Sequence, residues 1–290
     1  MSLLHQLFGS RGDGDETEAF GDYRLTEKVA DGRLSTLYRG TQIKTGEAVA
    51  VKVLSEYGCR VADKLTRKLR KEWEGERALR LKHPHVVHTI VCGKQHGTYY
   101  IIMEFLSGGT LASLVQARAP LAEGRKIQIM RQAARGLEYV HSQGVIHRDI
   151  SARNVMLDAR GTAKLIDFGV AANKDDRIRN TGQRTGRPAY MAPELIRTNR
   201  FNERTDIYAF GVSLYEVVTR QRPFRTSDDP FEALATALNT EIPLPSTLCP
   251  SVSQRLESVI MRAIDPNPQR RYPTMTRLLE DLDRVTENDV

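Results

Sequence analysis

Four short polar strings follow one another along the chain: Val49-Ala50-Val51-Lys52, His147-Arg148-Asp149 with Asn154 five positions after the aspartate, Asp167-Phe168-Gly169, and Ala192-Pro193-Glu194. Asp206 and Arg271 come after them. Carboxylate and amide oxygens such as those of Asp167 and Asn154 are hard ligands for a hard cation. An aspartate in a loop can accept or orient a proton, and a lysine held on a strand is a compact positive charge. Other groupings offer less. His83, His85 and His88 are closely spaced, but no cysteine joins them and the remaining histidines are distant in sequence, which argues against a metal site. Cys59, Cys92 and Cys249 are scattered and odd in number, the pattern of reduced thiols in a cytosol rather than of a disulfide framework.

The elements that must carry these strings change character along the chain. Residues 9–22 are rich in Gly and acid, so residues 1–22 read as a flexible leader. From Tyr23 to about Ile102, β-branched and aromatic residues with a Lys44-Thr45-Gly46 turn predict short strands. One helix is predicted there, over Lys64 to Lys82, with Leu65, Leu69, Trp73 and Leu79 among charges and Pro84 closing it. After Gly108-Gly109 helices take over. Ile127, Met130, Ala134, Leu137 and His141 predict one that stops at Gly144. Thr205 reads as the cap of a second, with Ile207, Phe210, Gly211, Leu214 and Val218 as a buried stripe, and Pro273 precedes an amphipathic helix through Leu278, Leu279, Leu282 and Val285.

Composition narrows the class further. With 290 residues, 40% apolar and 27% charged, the chain is neither a disordered polymer nor a rod. No stretch approaches the ~20 apolar residues of a membrane span, and the N-terminus is not signal-like, so a cytoplasmic protein is expected. The formal charge of +7 favours acidic partners or phosphates. The Arg and Lys residues between Lys64 and Lys82 are interrupted at helical spacing and lack an aromatic row, which disfavours nucleic acid.

Taken in this order and spacing, the strings resemble the protein-kinase signature set, over about Tyr23 to Val285. The resemblance implies an α+β, two-lobed kinase fold: a small antiparallel-sheet N-lobe with one helix over about 23–105, and a larger, mainly helical C-lobe over about 106–285, followed by a tail at 286–290. It implies ATP and Mg2+ as cofactors. In such a kinase Lys52 would contact the α and β phosphates and Glu74 would hold it by an ion pair. Glu72 and Glu76 compete for that role, but Glu74 stands ten residues before Pro84, the family's distance. Asn154 and Asp167 would hold the metal, and Asp149 would accept or orient the proton of the attacking hydroxyl. Met103, Glu104 and Leu106 would meet the adenine from the strand joining the lobes, and Leu37, Ala50 and Met156 would sandwich it. His147 would pack, and Glu194 would pair with Arg271.

Three departures stand out. The phosphate loop, Val29-Ala30-Asp31-Gly32-Arg33-Leu34-Ser35-Thr36-Leu37, keeps only the middle of the family's three glycines, which predicts a stiffer loop and weaker ATP binding. Ser151 stands where Ser/Thr kinases usually place a lysine that contacts the γ phosphate, and Arg187 stands where they usually have a threonine. Either Arg187 or Arg153 is expected to supply the missing cation.

The acceptor is read as Ser or Thr. Ala152-Arg153-Asn154 leans towards tyrosine kinases, but the longer stretches Gly186 to Glu194 and Arg271-Tyr272-Pro273-Thr274 resemble Ser/Thr kinases, especially compact bacterial ones. Thr181, with Thr185 as runner-up, is expected to be phosphorylated and to pair with Arg148. The reading is thus a protein Ser/Thr kinase that autophosphorylates its activation loop, acts on a protein substrate and answers to an upstream activator or sensor. The alternatives are a pseudokinase scaffold and tyrosine or dual specificity.

Overall fold

A computed structural model describes residues 19–68, 71–174, 187–198, 200–224, 229, 232, 235 and 241–290. These residues fall into two compact units, one formed up to Lys82 together with His88–Phe105, the other by His83–Val87 together with Leu106–Val290.

The first unit is built on strands β1 (Ala19–Phe20), β2 (Tyr23–Asp31), β3 (Ser35–Gln42), β4 (Ala48–Leu54), β5 (Thr89–Gln95) and β6 (Thr98–Glu104). They form one antiparallel sheet in the order β1-β2-β3-β4-β6-β5. Alternation along β4 buries Val49, Val51 and Val53 with Phe20, Leu25 and Ile102 on one face. Lys52 therefore points to the opposite face, registered with Leu37 on β3 and Ile101 on β6. The sheet begins earlier than expected of a leader ending at residue 22. Ala19 and Phe20 pair with β2, and the Phe20 ring is buried 4.8 Å from Tyr100.

The single helix predicted over Lys64 to Lys82 is instead two. α1 (Glu56–Asp63) starts before it, capped by Ser55 Oγ, which accepts the Gly58 N–H, and runs into a π turn at Lys64–Lys68. α2 (Glu74–Arg80) starts afresh after Trp73. The Trp73 backbone is extended (φ −82°, ψ 172°), which turns the indole inwards onto Tyr99 at 4.8 Å, 4% exposed. Burial of an aromatic ring outweighs helix continuity here, and Glu76 repairs the break by accepting the Trp73 N–H at 3.3 Å. Leu79, expected on the apolar face, is exposed.

In the second unit, α3 (Leu111–Gln116), α4 (Lys126–Ser142), α5 (Pro193–Thr198), α6 (Glu203–Thr219), α7 (Pro245–Leu248), α8 (Gln254–Ala263) and α9 (Met275–Leu282) enclose one large apolar core. Small antiparallel pairs, β7 (Val145–Ile146) with β10 (Ala172–Asn173) and β8 (Val155–Leu157) with β9 (Ala163–Leu165), frame its loops. The expected periodicity places α4 as read, whereas α9 ends at Leu282 with Asp283 as its cap, so Val285, expected on the same helix face, is buried beyond the helix end. α6 is buried nearly all round, not only on one stripe, since Tyr208, Val212 and Tyr215 are as buried as Ile207 and Leu214. Its cap is Asn202, whose Oδ1 accepts the Arg204 N–H at 2.9 Å, rather than Thr205, which lies within the first turn. The expected tail is tied down: Glu287 accepts the N–H groups of Ile127 and Gln128 at the start of α4.

Candidate active site

Within the first unit, strand β4 and helix α2 bring together two of the expected residues. Lys52 Nζ lies 2.5 Å from Glu74 Oε1, and both side chains are 15% exposed. The competing acids are engaged elsewhere, Glu72 with Arg80 at 3.2 Å and Glu76 at the Trp73 N–H. Met103 and Glu104 end β6. Glu104 donates its backbone N–H to the His88 carbonyl at 3.0 Å, and its carboxylate accepts the His88 N–H at 2.6 Å. Ala50 pairs with Met103 across the sheet, and Leu37 with Lys52.

Val29 and Ala30 lie near the end of strand β2, and Gly32 stands in the β2–β3 turn. Gly32 donates its N–H to the Ser35 carbonyl at 3.0 Å. Asp31 is held by Lys28 and by the Thr36 hydroxyl at 2.7 Å, and these bonds, Lys28 foremost, keep its carboxyl below the ordinary value. The tip rests on the first turn of α1: the Arg33 and Leu34 carbonyls accept the Ser55 hydroxyl and N–H at 2.8 and 2.9 Å. The Arg33 guanidinium lies 4.8 Å from the Tyr57 ring centroid. Only glycine fits at position 58, where a Cβ would stand 2.1 Å from the Leu34 oxygen. Contacts of Asp31 and Ser55 thus tie this turn down beside the missing outer glycines.

In the second unit the loop after β7 is organised by one buried anion. Asp206, 1% exposed on α6, accepts the backbone N–H groups of His147 and Arg148, each at 2.8 Å, and His141 Nε2 lies 2.8 Å away. Burial alone would raise the Asp206 carboxyl; His141, His147 and the Arg148 N–H outweigh it and hold the group below the ordinary carboxylate value. Arg148 takes a left-handed backbone (φ 67°), as does Asp167 (φ 65°), conformations that L side chains adopt at a cost. His147 is fully buried against Phe168, 4.9 Å between ring centroids, consistent with packing.

This loop delivers Asp149 to Asn154 and Arg187. Asn154 Nδ2 donates to the Asp149 carbonyl at 2.7 Å and to its carboxylate at 2.8 Å. The Ile166 N–H donates to the Asn154 carbonyl at 2.9 Å, so the β8–β9 hairpin carries Asn154 beside the residue preceding Asp167. The Asn154 amide nitrogen is committed to Asp149; its side-chain oxygen and the Asp167 carboxylate are hard oxygen donors of the kind magnesium takes. Burial raises the Asp149 carboxyl above its ordinary value, a shift that Arg187 and Asn154 reduce.

Arg187 Nη1 lies 3.1 Å from Ser151 Oγ and 3.4 Å from Asp149 Oδ2. Arg153 stands exposed on the 3-10 turn Ala152–Asn154, and the Tyr190 hydroxyl donates to Glu216 at 2.5 Å. Met156 sits half-buried on β8, and Leu106 is buried. The Arg148 guanidinium lies 4.4 Å from the Phe201 ring centroid; Thr181 and Thr185 lie outside the described residues. Arg271, its side chain fully buried, forms a bidentate pair with Glu194 at 2.7 and 2.8 Å. His83 Nδ1 accepts the His85 N–H, and the His85 ring bonds the Ala163 carbonyl, so both imidazoles serve the packing of this unit.

Sequence reasoning left the parts of His141, Glu216, Ser55 and Asp31 unassigned. Their partners are distant in the chain or belong to loops without a repeating pattern, and periodicity signals neither.

Residues 23–282 match the model of the protein kinase domain. The chain is similar to serine/threonine-protein kinase PknE of Mycobacterium bovis, 34% identical over 260 residues, 89% of this chain and 45% of that protein. It is also similar to serine/threonine-protein kinase PknB of Mycobacterium tuberculosis, 31% identical over 91% of this chain and 42% of that one. A probable serine/threonine-protein kinase of Clostridium perfringens, CPE1738, is 30% identical over 92% of this chain and 38% of that protein. The chain thus spans less than half the length of these relatives.

Proposed function

The chain belongs to the protein kinase domain family, and from that premise we propose that it transfers the γ-phosphoryl group of ATP to Ser or Thr hydroxyls of proteins. The family uses ATP and Mg2+. The observation that carries the reading is the loop in which Asn154 fixes both the carbonyl and the carboxylate of Asp149, because a proton acceptor is useful only when its oxygen is held in place.

The roles divide accordingly. Lys52, steadied by Glu74, binds the α and β phosphates; Asn154 and Asp167 hold magnesium, which neutralises charge on the phosphate oxygens when bound. Asp149 orients the acceptor hydroxyl and takes its proton. At the end of β6 the Glu104 N–H is spent on His88, so adenine recognition there is assigned to its carbonyl, with the Leu106 backbone as the second contact. Val29, Ala30, Gly32 and Leu37 cover the nucleotide, and Ala50, Met103 and Met156 contact the base. Thr181 or Thr185 receives phosphate and pairs with Arg148. No helix among the described residues is long and apolar enough to cross a membrane; a cytoplasmic site of action, a protein substrate and an upstream activator complete the reading.

The test is mass spectrometry of the purified protein incubated with Mg-ATP beside an Asp149→Asn variant treated identically. Phosphate on Thr181, Thr185 or other Ser and Thr residues of the first alone is the expected result. Phosphate on neither, with ATP still bound, would replace the kinase by a nucleotide-binding scaffold; phosphate on tyrosine would correct the acceptor.

A further inference from the structure

Asp149 has one ion-pair partner among the described residues, and it comes from outside its own loop. Arg187 immediately precedes the 3-10 turn Pro188–Tyr190, and its Nη1 lies between the Ser151 hydroxyl and the Asp149 carboxylate. Ser151 is fully buried, so this contact fixes the guanidinium against a rigid point. Yet the Arg187 side chain is 42% exposed. A guanidinium carries five N–H donors in a planar fork. One arm is committed to Ser151 and Asp149, and the rest of the fork has no acceptor among the described residues. A fixed cation with an open fork beside a partly buried carboxylate is suited to an oxyanion that arrives next to that carboxylate.

We propose that Arg187 is a catalytic residue of the transfer, contacting the oxygens of the moving phosphoryl group while it steadies Asp149. This rests on the kinase reading and deepens it. In the step, the acceptor hydroxyl oxygen forms a bond to the γ-phosphorus and its proton passes to Asp149. The bond from that phosphorus to the bridging oxygen breaks, and ADP leaves with the electron pair. Negative charge spreads over the equatorial phosphoryl oxygens in the transition state, where the Arg187 fork offers its donors. Arg153 is the lesser candidate: it is exposed, and the ion pair of Asp149 is made by Arg187 instead.

The experiment compares the wild type with Arg187→Ala, Arg153→Ala and Asp149→Asn by initial rates of phosphate transfer to casein under saturating Mg-ATP, with nucleotide affinity and melting temperature measured in parallel. Arg187→Ala is expected to lower kcat on the order of 10²-fold or more, with nucleotide affinity within a few-fold of wild type, and Arg153→Ala to change kcat little. Millimolar guanidinium, well below denaturing levels, is expected to restore part of the lost rate to Arg187→Ala and none to Asp149→Asn. Unchanged kcat in Arg187→Ala, or a loss that tracks a lowered melting temperature and is not rescued by guanidinium, would overturn the assignment while leaving the kinase reading intact. A wild type that transfers no phosphate would remove both.

Discussion

The two units each hold a cation beside a carboxylate, and they hold it in different ways. Lys52 and Glu74 are both 15% exposed, 2.5 Å apart, and carried on a strand and a helix. Arg187 and Asp149 are 42% and 15% exposed, 3.4 Å apart, and both stand on irregular backbone. The first pair is positioned by sheet register and helix docking, so its geometry follows from backbone hydrogen bonds that many other sequences also make. The second is positioned largely by side-chain bonds: Ser151 on one side, and Asn154 and Asp206 through the loop on the other. Regular structure therefore fixes one charge cheaply, and a network of buried polar groups is needed to fix the other.

Breaking the pairs measures that difference. The largest effect is expected from Asp149→Asn, which keeps the shape and removes the proposed proton acceptor: phosphate transfer should fall on the order of 10³-fold or more, read by initial rates. Lys52→Ala should follow, with a loss on the order of 10²-fold and a weakened nucleotide affinity read by titration with a fluorescent ATP analogue. If Glu74→Gln leaves both quantities unchanged, the ion pair does not position Lys52 and the contrast between the units collapses.

Asp206 sharpens the comparison through stability. Asp206→Ala should cost about 3 kcal/mol, because it strands the His147 and Arg148 N–H groups in the interior. The pH dependence has a definite sign. The folded-state carboxyl lies below its ordinary value, so its contribution is fully present above the unfolded carboxylate pKa and is lost as pH falls through the lower folded one. Urea denaturation of wild type and Asp206→Asn should therefore show a gap that closes only in that acid window. A gap of constant size down to the lowest pH at which the fold survives would refute the charged role.

The smallest effect is expected at the β2–β3 turn. Asp31→Ala removes the bonds to Lys28 and Thr36 but leaves Gly32, Ser35 and the Ser55 contacts in place. A slight change in KM for ATP with kcat unaltered is anticipated; a drop in kcat as large as that of Lys52→Ala would show that Asp31 does more than brace the turn.

Much of this is legible without coordinates wherever a residue's position is set by repetition. Alternation in Val49 to Leu54 puts Lys52 on the face opposite Val51, and the spacing of Ile127, Met130, Ala134 and Leu137 yields α4. The helix predicted through Trp73 divides in two because the local pattern cannot register a distant Tyr99 that offers the indole a better place. Thr205 reads as a cap for a similar reason: both Asn202 and Thr205 are good capping residues, and only the path of the chain into α6 selects Asn202.

The amino-acid order by itself determined the family and the strand that carries Lys52, since each depends on local periodicity or on motifs in fixed order along the chain, and the family resemblance then singled out Glu74 by its distance to Pro84. Where the Arg187 guanidinium goes was decided by tertiary structure. Ser151 and Arg187 are thirty-six positions apart, and a contact across that distance exists only once Asp206 has pinned the loop and the apolar core of the second unit has closed around it.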